Sequence, residues 1–172
     1  MTSETNQSET NRAAAEHADI DNAATGQVDF YLLADPSLSA DHLACRLAMM
    51  AWERRQRVFI VATTKAHLAK LDELMWEFPP GRFLPHAQVN DLVNDQNAKK
   101  TPVTMGLGSD LGPDLKGAVV VINLCPEAIP QAIRFERILE IVPFVTEQRD
   151  ASRAKYKTYL QLGLKPQTHE IT

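Results

Sequence analysis

Apolar residues gather in four short runs: "VDFYLL" (28–33), "RVFIVA" (57–62), "AVVVINL" (118–124) and "RILEIV" (137–142). Runs of this length, rich in Val, Ile and aromatic residues and bounded by turn formers, predict buried strands. "PVTMGL" (102–107) is a further strand candidate, and "RILEIV" reads equally as a helix end. Between the runs the period changes. Leu43, Leu47, Met50 and Trp52 recur at helical spacing with alanines between them, which predicts an amphipathic helix over 41–55. Thr64 can cap a second helix with Leu68, Leu71 and Met75 on its buried face, and Pro79 and Pro80 stop it. Thr146 can cap a last helix that runs to Leu162, with Gly163 in the stop position. The order strand, helix, strand, helix predicts an α/β domain, its parallel sheet covered on both faces.

Residues 1–27 break the pattern. They are rich in Ser, Thr, Asn, Glu and Ala, with Ile20 as their one branched aliphatic residue. Such a segment buries too little apolar surface to offset its ordering entropy, so a disordered leader is expected, followed by one domain over 28–172. The leader carries Glu4, Glu9, Glu16, Asp19 and Asp21 against Arg12, which accounts for the whole net charge of −4. The remaining chain is neutral overall, so no global basic field recruits nucleic acid. The leader lacks the basic and apolar blocks of a signal peptide. No run approaches the ~20 apolar residues of a membrane-spanning helix. The expected compartment is the cytoplasm, with no membrane contact.

The chemistry of a catalytic centre is hard to find. There is no phosphate-loop motif, and the first strand runs into "LADPSLS", which has an aspartate where a phosphate would need a backbone cradle. The glycine-rich stretch 106–117 carries Asp110 and Asp114, which repel phosphate, and Pro113, which breaks the helix that should follow. His42 and Cys45 are three apart on one helix without a second pair, so no metal site is expected. His86 and His169 stand alone in the sequence. Cys45 and Cys125 read as reduced structural thiols. No cofactor is expected.

Two stretches look like docking surfaces instead. Arg149, Arg153, Tyr156 and Lys157 fall at i, i+4, i+7 and i+8, one stripe of the last helix. Such a stripe can hold an acidic peptide, its cations on carboxylates and its ring against an apolar pocket. It also reads as a solvated basic face with Tyr156 packed inward. The second stretch is "MWEFPPGRFLPH" (75–86), where Trp76 lies on the last turn of a helix and Phe83 and Pro85 follow two prolines. Clustered aromatics on a rigid loop are typical interface anchors, although the rings could equally seal one end of the sheet.

"FYLL", "LDELMWEFPPGRFLPH", "VVVINL", "RILEIVPF" and "SRAKYKTYLQLG" together resemble the chi subunit of bacterial DNA polymerase III, from about Val28 to Lys165. The acidic leader departs from the compact family pattern. The resemblance implies a Rossmann-like, three-layer α/β/α fold, with a mostly parallel sheet of about five strands and no phosphate loop. It implies an accessory subunit of the clamp-loader complex in DNA replication, without catalysis of its own. The partners implied are the psi subunit, as a 1:1 heterodimer, and the acidic tail of single-strand DNA-binding protein, which ends in proline, phenylalanine and a free carboxylate. DNA is then reached indirectly. Carried over by residue, the tail site is Val142, Arg149 (commonly lysine in the family), Arg153, Tyr156 and Lys157. The psi site is Trp76, Pro79, Phe83, Pro85 and His86, a loop open also to a helicase-like repair partner. The alternatives are a nucleotide-dependent enzyme on the same fold and direct binding of single-stranded DNA, which three cations on one helix support poorly.

Overall fold

All five residues of Val58–Ala62 are buried, which requires cover on both faces of the strand they form. The computed structural model describes residues 26–92, 100–112 and 120–172, and it supplies that cover. The elements are β1 (Gln27–Leu33), α1 (Ala40–Glu53), β2 (Val58–Ala62), α2 (Lys65–Glu77), β3 (His86–Gln88), β4 (Val103–Leu107), β5 (Val120–Asn123), β6 (Arg137–Val142), α3 (Thr146–Gln161) and β7 (Gln167–Ile171). One sheet has the order β3-β4-β2-β5-β6-β1-β7, and every pairing is parallel. Helices α1 and α2 pack on one face, where Ile60, Met105 and Ile122 meet Ala48 and Leu71. Helix α3 packs on the other, where Phe30, Phe59 and Ile138 meet Tyr159. This is the three-layer α/β/α fold expected from the sequence.

The sheet has seven strands rather than about five. The two unforeseen ones are its edges, "HAQ" and "QTHEI", which contain no fully buried residue and so leave no apolar run to read. "RILEIV" is a strand. The expected leader lies outside the described residues as far as residue 25, and Gln27 already pairs with Arg137. The polar excursion at 88–100 begins as a 3-10 turn at Val89–Leu92; residues 93–99 of it lie outside the described residues, as do 113–119.

Helix α2 matches its reading closely. Thr64 accepts a hydrogen bond from the His67 amide at 3.1 Å, and Leu68, Leu71 and Met75 are buried. Helix α1 presents a different face from the one its leucines suggest. Ala44, Cys45, Ala48, Met49 and Ala51 are buried, while Met50 is exposed and Leu43, Leu47 and Trp52 only flank the core. Small side chains let the helix lie close to the sheet, and the bulkier ones are then displaced to its sides. Helix α3 also differs at its start: Thr146 is its first residue, and Val145 occupies the cap position with no side-chain hydrogen bond. Gly163 ends it at φ 81°, a conformation that costs glycine little.

What seats α3 on the sheet is a buried polar cluster. Glu140, in the middle of β6, is fully buried and accepts from Asn123 Nδ2 (2.9 Å), the Tyr159 hydroxyl and Lys155 Nζ. Lys155 donates also to the Cys125 carbonyl at 2.9 Å, and the Tyr159 oxygen accepts the Ile129 amide at 2.9 Å. Burial raises the Glu140 pKa above the ordinary carboxylate range, against the opposing pull of Lys155 and the three donors. Burial and the Glu140 charge likewise push the Tyr159 phenol up, so it stays a donor. A second carboxylate, Asp29, is buried at the start of β1 and held by Arg137 Nε (2.9 Å) and His169 Nε2 (2.8 Å), which ties β6 and β7 to β1.

Removing Lys155 strands the Glu140 charge in the interior, which typically costs about 3–5 kcal/mol. Lys155→Met is therefore expected to lose about that much in urea denaturation at pH 7. The folded Glu140 already binds its proton more readily than the unfolded chain does, and the variant lacks the cation that opposes this. The deficit therefore shrinks as pH falls toward 5. A deficit that is constant between pH 7 and 5 would show that Glu140 is not the origin.

Candidate functional site

Helix α3 lays its stripe against the ends of β1 and β6 and the edge strand β7. Val142, Arg149, Arg153, Tyr156 and Lys157, the five residues of the expected tail site, line one pocket of ≈ 420 Å³, joined by Phe30, Leu32, Ser152 and Thr168. Its floor is apolar. Phe30 and the half-buried Tyr156 pack with ring centroids 5.5 Å apart, and the Tyr156 hydroxyl donates to the Pro166 carbonyl at 3.2 Å. The ring is thus both packed inward and presented as one wall, so the two readings of the stripe are not exclusive.

The rim is cationic. Arg149 donates to the Leu33 carbonyl at 3.4 Å, and its guanidinium lies 4.9 Å from the Phe144 ring centre, two contacts that aim it along the pocket edge. Arg153 forms an exposed pair with Asp150 at 2.7 Å, and Lys157 makes no ion pair among the described residues. An exposed pair of this kind is worth little, so Asp150 holds Arg153 only weakly. Lys155, which the sequence counts among the cations of this helix, points the other way and belongs to Glu140.

The aromatic loop is built differently. Trp76, on the last turn of α2, is 62% exposed, and Phe83 is 61% exposed. Their ring centroids are 5.7 Å apart, and His86 meets the Trp76 face edge-on at 4.8 Å. Leu84, next in the chain, is fully buried in the core and anchors the segment, while Pro79 and Pro85 are half-buried. Arg82 pairs with Glu53 at the end of α1. His86 does not stand alone: its Nδ1 lies 2.6 Å from the Leu84 carbonyl, and its Nε2 faces Asp72 at 3.5 Å. The segment is therefore pinned by a buried leucine, with two large apolar side chains left in solvent.

The turn after β1 does not suit a phosphate. The Ser37 side chain and the Ser37 amide, 2.7 Å away, both donate to Asp35, which lowers its pKa and keeps it charged, and Ser39 accepts the His42 amide at 3.3 Å as the cap of α1. The amides a phosphate would need are committed to the chain's own side chains. Burial pushes the thiols of Cys45 and Cys125 up to about 12 and about 11, so neither is a ready nucleophile. Among the described residues no three His, Cys, Asp or Glu side chains converge as metal ligands, and no helix is long and apolar enough to cross a membrane. The sequence reading missed Phe30, Leu32, Ser152 and Thr168. The one signal that could have found Ser152 is the 3.6-residue spacing, which puts it on the face of Arg149 and Tyr156.

The chain's similarity to known proteins agrees over its described length. The family model for the DNA polymerase III chi subunit, HolC, matches residues 26–167. The DNA polymerase III subunit chi of Pseudomonas aeruginosa is 33% identical over 147 residues, 84% of this chain and 96% of that protein. Its counterpart in Haemophilus influenzae is 27% identical over 83% of this chain and 95% of its own length. That of Escherichia coli is 24% identical over 78% and 90%.

The exposure of the loop rings separates a docking surface from a seal by stability alone. Phe83→Ala is expected to leave the melting temperature of the isolated protein nearly unchanged. Leu84→Ala, one residue on, is expected to cost about 2–5 kcal/mol, as for a buried leucine. Comparable losses from the two variants in thermal denaturation would make Phe83 a core residue.

Proposed function

Because the chain belongs to the DNA polymerase III chi subunit family, it serves DNA replication as a subunit of that polymerase, and we propose that it works there by docking two partners. One is the psi subunit, in a 1:1 complex at Trp76, Pro79, Phe83, Pro85 and His86, which tethers this chain to the clamp loader. The other is the acidic C-terminal tail of single-strand DNA-binding protein, received by Val142, Arg149, Arg153, Tyr156 and Lys157. Single-stranded DNA is reached through that tail. Both surfaces lie within a single domain, residues 28–172. The work is done without a catalytic group, in the cytoplasm.

The observation that carries the tail assignment is the pocket itself: an apolar floor of Phe30, Leu32 and Val142 beneath a rim of Arg149, Arg153 and Lys157. A peptide ending in acidic residues and a terminal phenylalanine needs those two things together. The ring enters the pocket, where its burial supplies much of the affinity. The carboxylates meet charge-assisted donors at the rim. For the loop, the supporting observation is two exposed aromatic rings held in mutual contact over a rigid, proline-bounded segment.

Calorimetry with a synthetic tail peptide tests the pocket. Arg153→Ala is expected to weaken binding by about 1.5–3 kcal/mol, the range for a hydrogen bond to a charged group. Raising the salt concentration should weaken the wild type, because half-exposed ion pairs are screened. Tyr156→Ala should weaken binding with that salt dependence retained, since it removes apolar contact and no charge. Indifference to both substitutions would sink the tail assignment. Co-purification with psi tests the loop, where Phe83→Ala should abolish capture; full capture by that variant would move the psi surface elsewhere.

A further inference from the structure

Ser152 is an anomaly in α3. It is 6% exposed, it lines the tail pocket, and its hydroxyl has no hydrogen-bond partner. A serine or threonine inside a helix commonly returns its hydroxyl to the carbonyl four residues back. Thr158 in the same helix does so, to Ala154 at 3.0 Å. Ser152 makes no such bond. It stands three residues after Arg149 and four before Tyr156, so it occupies the same face between them, with Phe30, Leu32 and Val142 opposite. A buried hydroxyl without a partner carries an uncompensated desolvation cost, and that cost is relieved when a bound group supplies the missing acceptor.

The chemistry of the occupant identifies that acceptor. In a peptide ending in an aromatic residue, the terminal carboxylate is attached to the carbon that carries the ring's methylene. When the ring fills the pocket, this carboxylate is drawn to the pocket wall, while the side-chain carboxylates of preceding residues remain at the rim with Arg153 and Lys157. A serine hydroxyl turns about one bond and can donate to an anion that arrives beside it. We propose that the Ser152 hydroxyl, beside Arg149, donates to the terminal carboxylate of the bound peptide and makes the site selective for a free C-terminus. Interior acidic segments, which end in an amide at that point, are thereby discriminated against. This rests on the tail assignment made above and adds a specificity-determining residue to it.

The test compares two synthetic peptides, identical in an acidic sequence ending in proline and phenylalanine, one with a free terminal carboxylate and one with a terminal amide. Each is titrated into the full-length wild-type protein and into Ser152→Ala. Alanine is the better helix former, and the variant loses no hydrogen bond of the free protein, so its unliganded melting temperature should not fall. The variant is expected to bind the free-acid peptide about tenfold more weakly, the equivalent of one hydrogen bond to a charged group. Its affinity for the amidated peptide should change by less than about twofold. An undiminished affinity for the free acid, or an equal loss with both peptides, overturns the role of Ser152 and leaves the tail assignment standing. Failure of the wild type to bind either peptide overturns both.

Discussion

A lysine and a glutamate facing each other in the interior govern the placement of everything on the α3 side of this protein. Glu140 comes from the middle of a strand and Lys155 from the middle of a helix, and both are withdrawn from water. Two desolvated charges tolerate few alternative arrangements, because any displacement leaves one of them unpaired. Hydrophobic contact alone would let α3 rotate by a fraction of a turn at small cost. The ion pair, with Asn123 and Tyr159 closing its remaining positions, fixes one rotation. That rotation turns Arg149, Ser152 and Tyr156 to the pocket and leaves Arg153 and Lys157 at its rim. The geometry of the surface is thus set from beneath, by residues that never reach it.

The same fold elsewhere serves nucleotides, at the crevice beyond the carboxyl ends of the parallel strands. Here the sheet keeps its parallel order, but the turns at that edge are closed by their own side chains. Asp35 takes up the Ser37 amide, and Asp110 takes up the Leu107 amide at 2.8 Å. Its carboxylate also fills the space beside Gly106, where an added Cβ would meet it at 2.8 Å. Acidic side chains thus perform locally the anchoring that a phosphate provides in nucleotide-binding relatives of the fold. On the proposed reading, recognition shifts from backbone amides at that edge to side chains on a helix face and on an aromatic loop.

Much of this was legible in the sequence, and what was not has a common cause. Central strands declare themselves because burial on both faces demands uninterrupted apolar runs. The cap at Thr64 is local chemistry within four residues. Edge strands β3 and β7 escape notice because half-covered strands tolerate polar residues. The buried face of α1 was misassigned because periodicity locates a stripe without saying how closely it approaches the sheet. The alanines win where the approach is close. Nothing in the helical spacing discloses the role of Lys155, since its partner Glu140 is fifteen residues distant in an apolar run. The stripe of Arg149, Arg153, Tyr156 and Lys157 could be read from spacing, but the wall of Phe30, Leu32 and Thr168 that turns it into a pocket is a tertiary fact.

The strand order has a mechanical consequence. The aromatic loop leads into β3 at one edge of the sheet, and the pocket is walled by β1 and β7 at the other, on the opposite face. Six inter-strand spacings of about 4.8 Å put them about 29 Å apart across a stiff, twisted slab. Two ligands so placed do not compete for space. Among the described residues one continuous sheet runs between the two surfaces, so they share no moving segment through which one ligand would alter the affinity of the other. On the proposed reading the protein is a spacer whose two ends bind independently. The strength of any bridge it makes is set by the two separate affinities and by the local concentration that the fixed span imposes on whatever is tethered at each end.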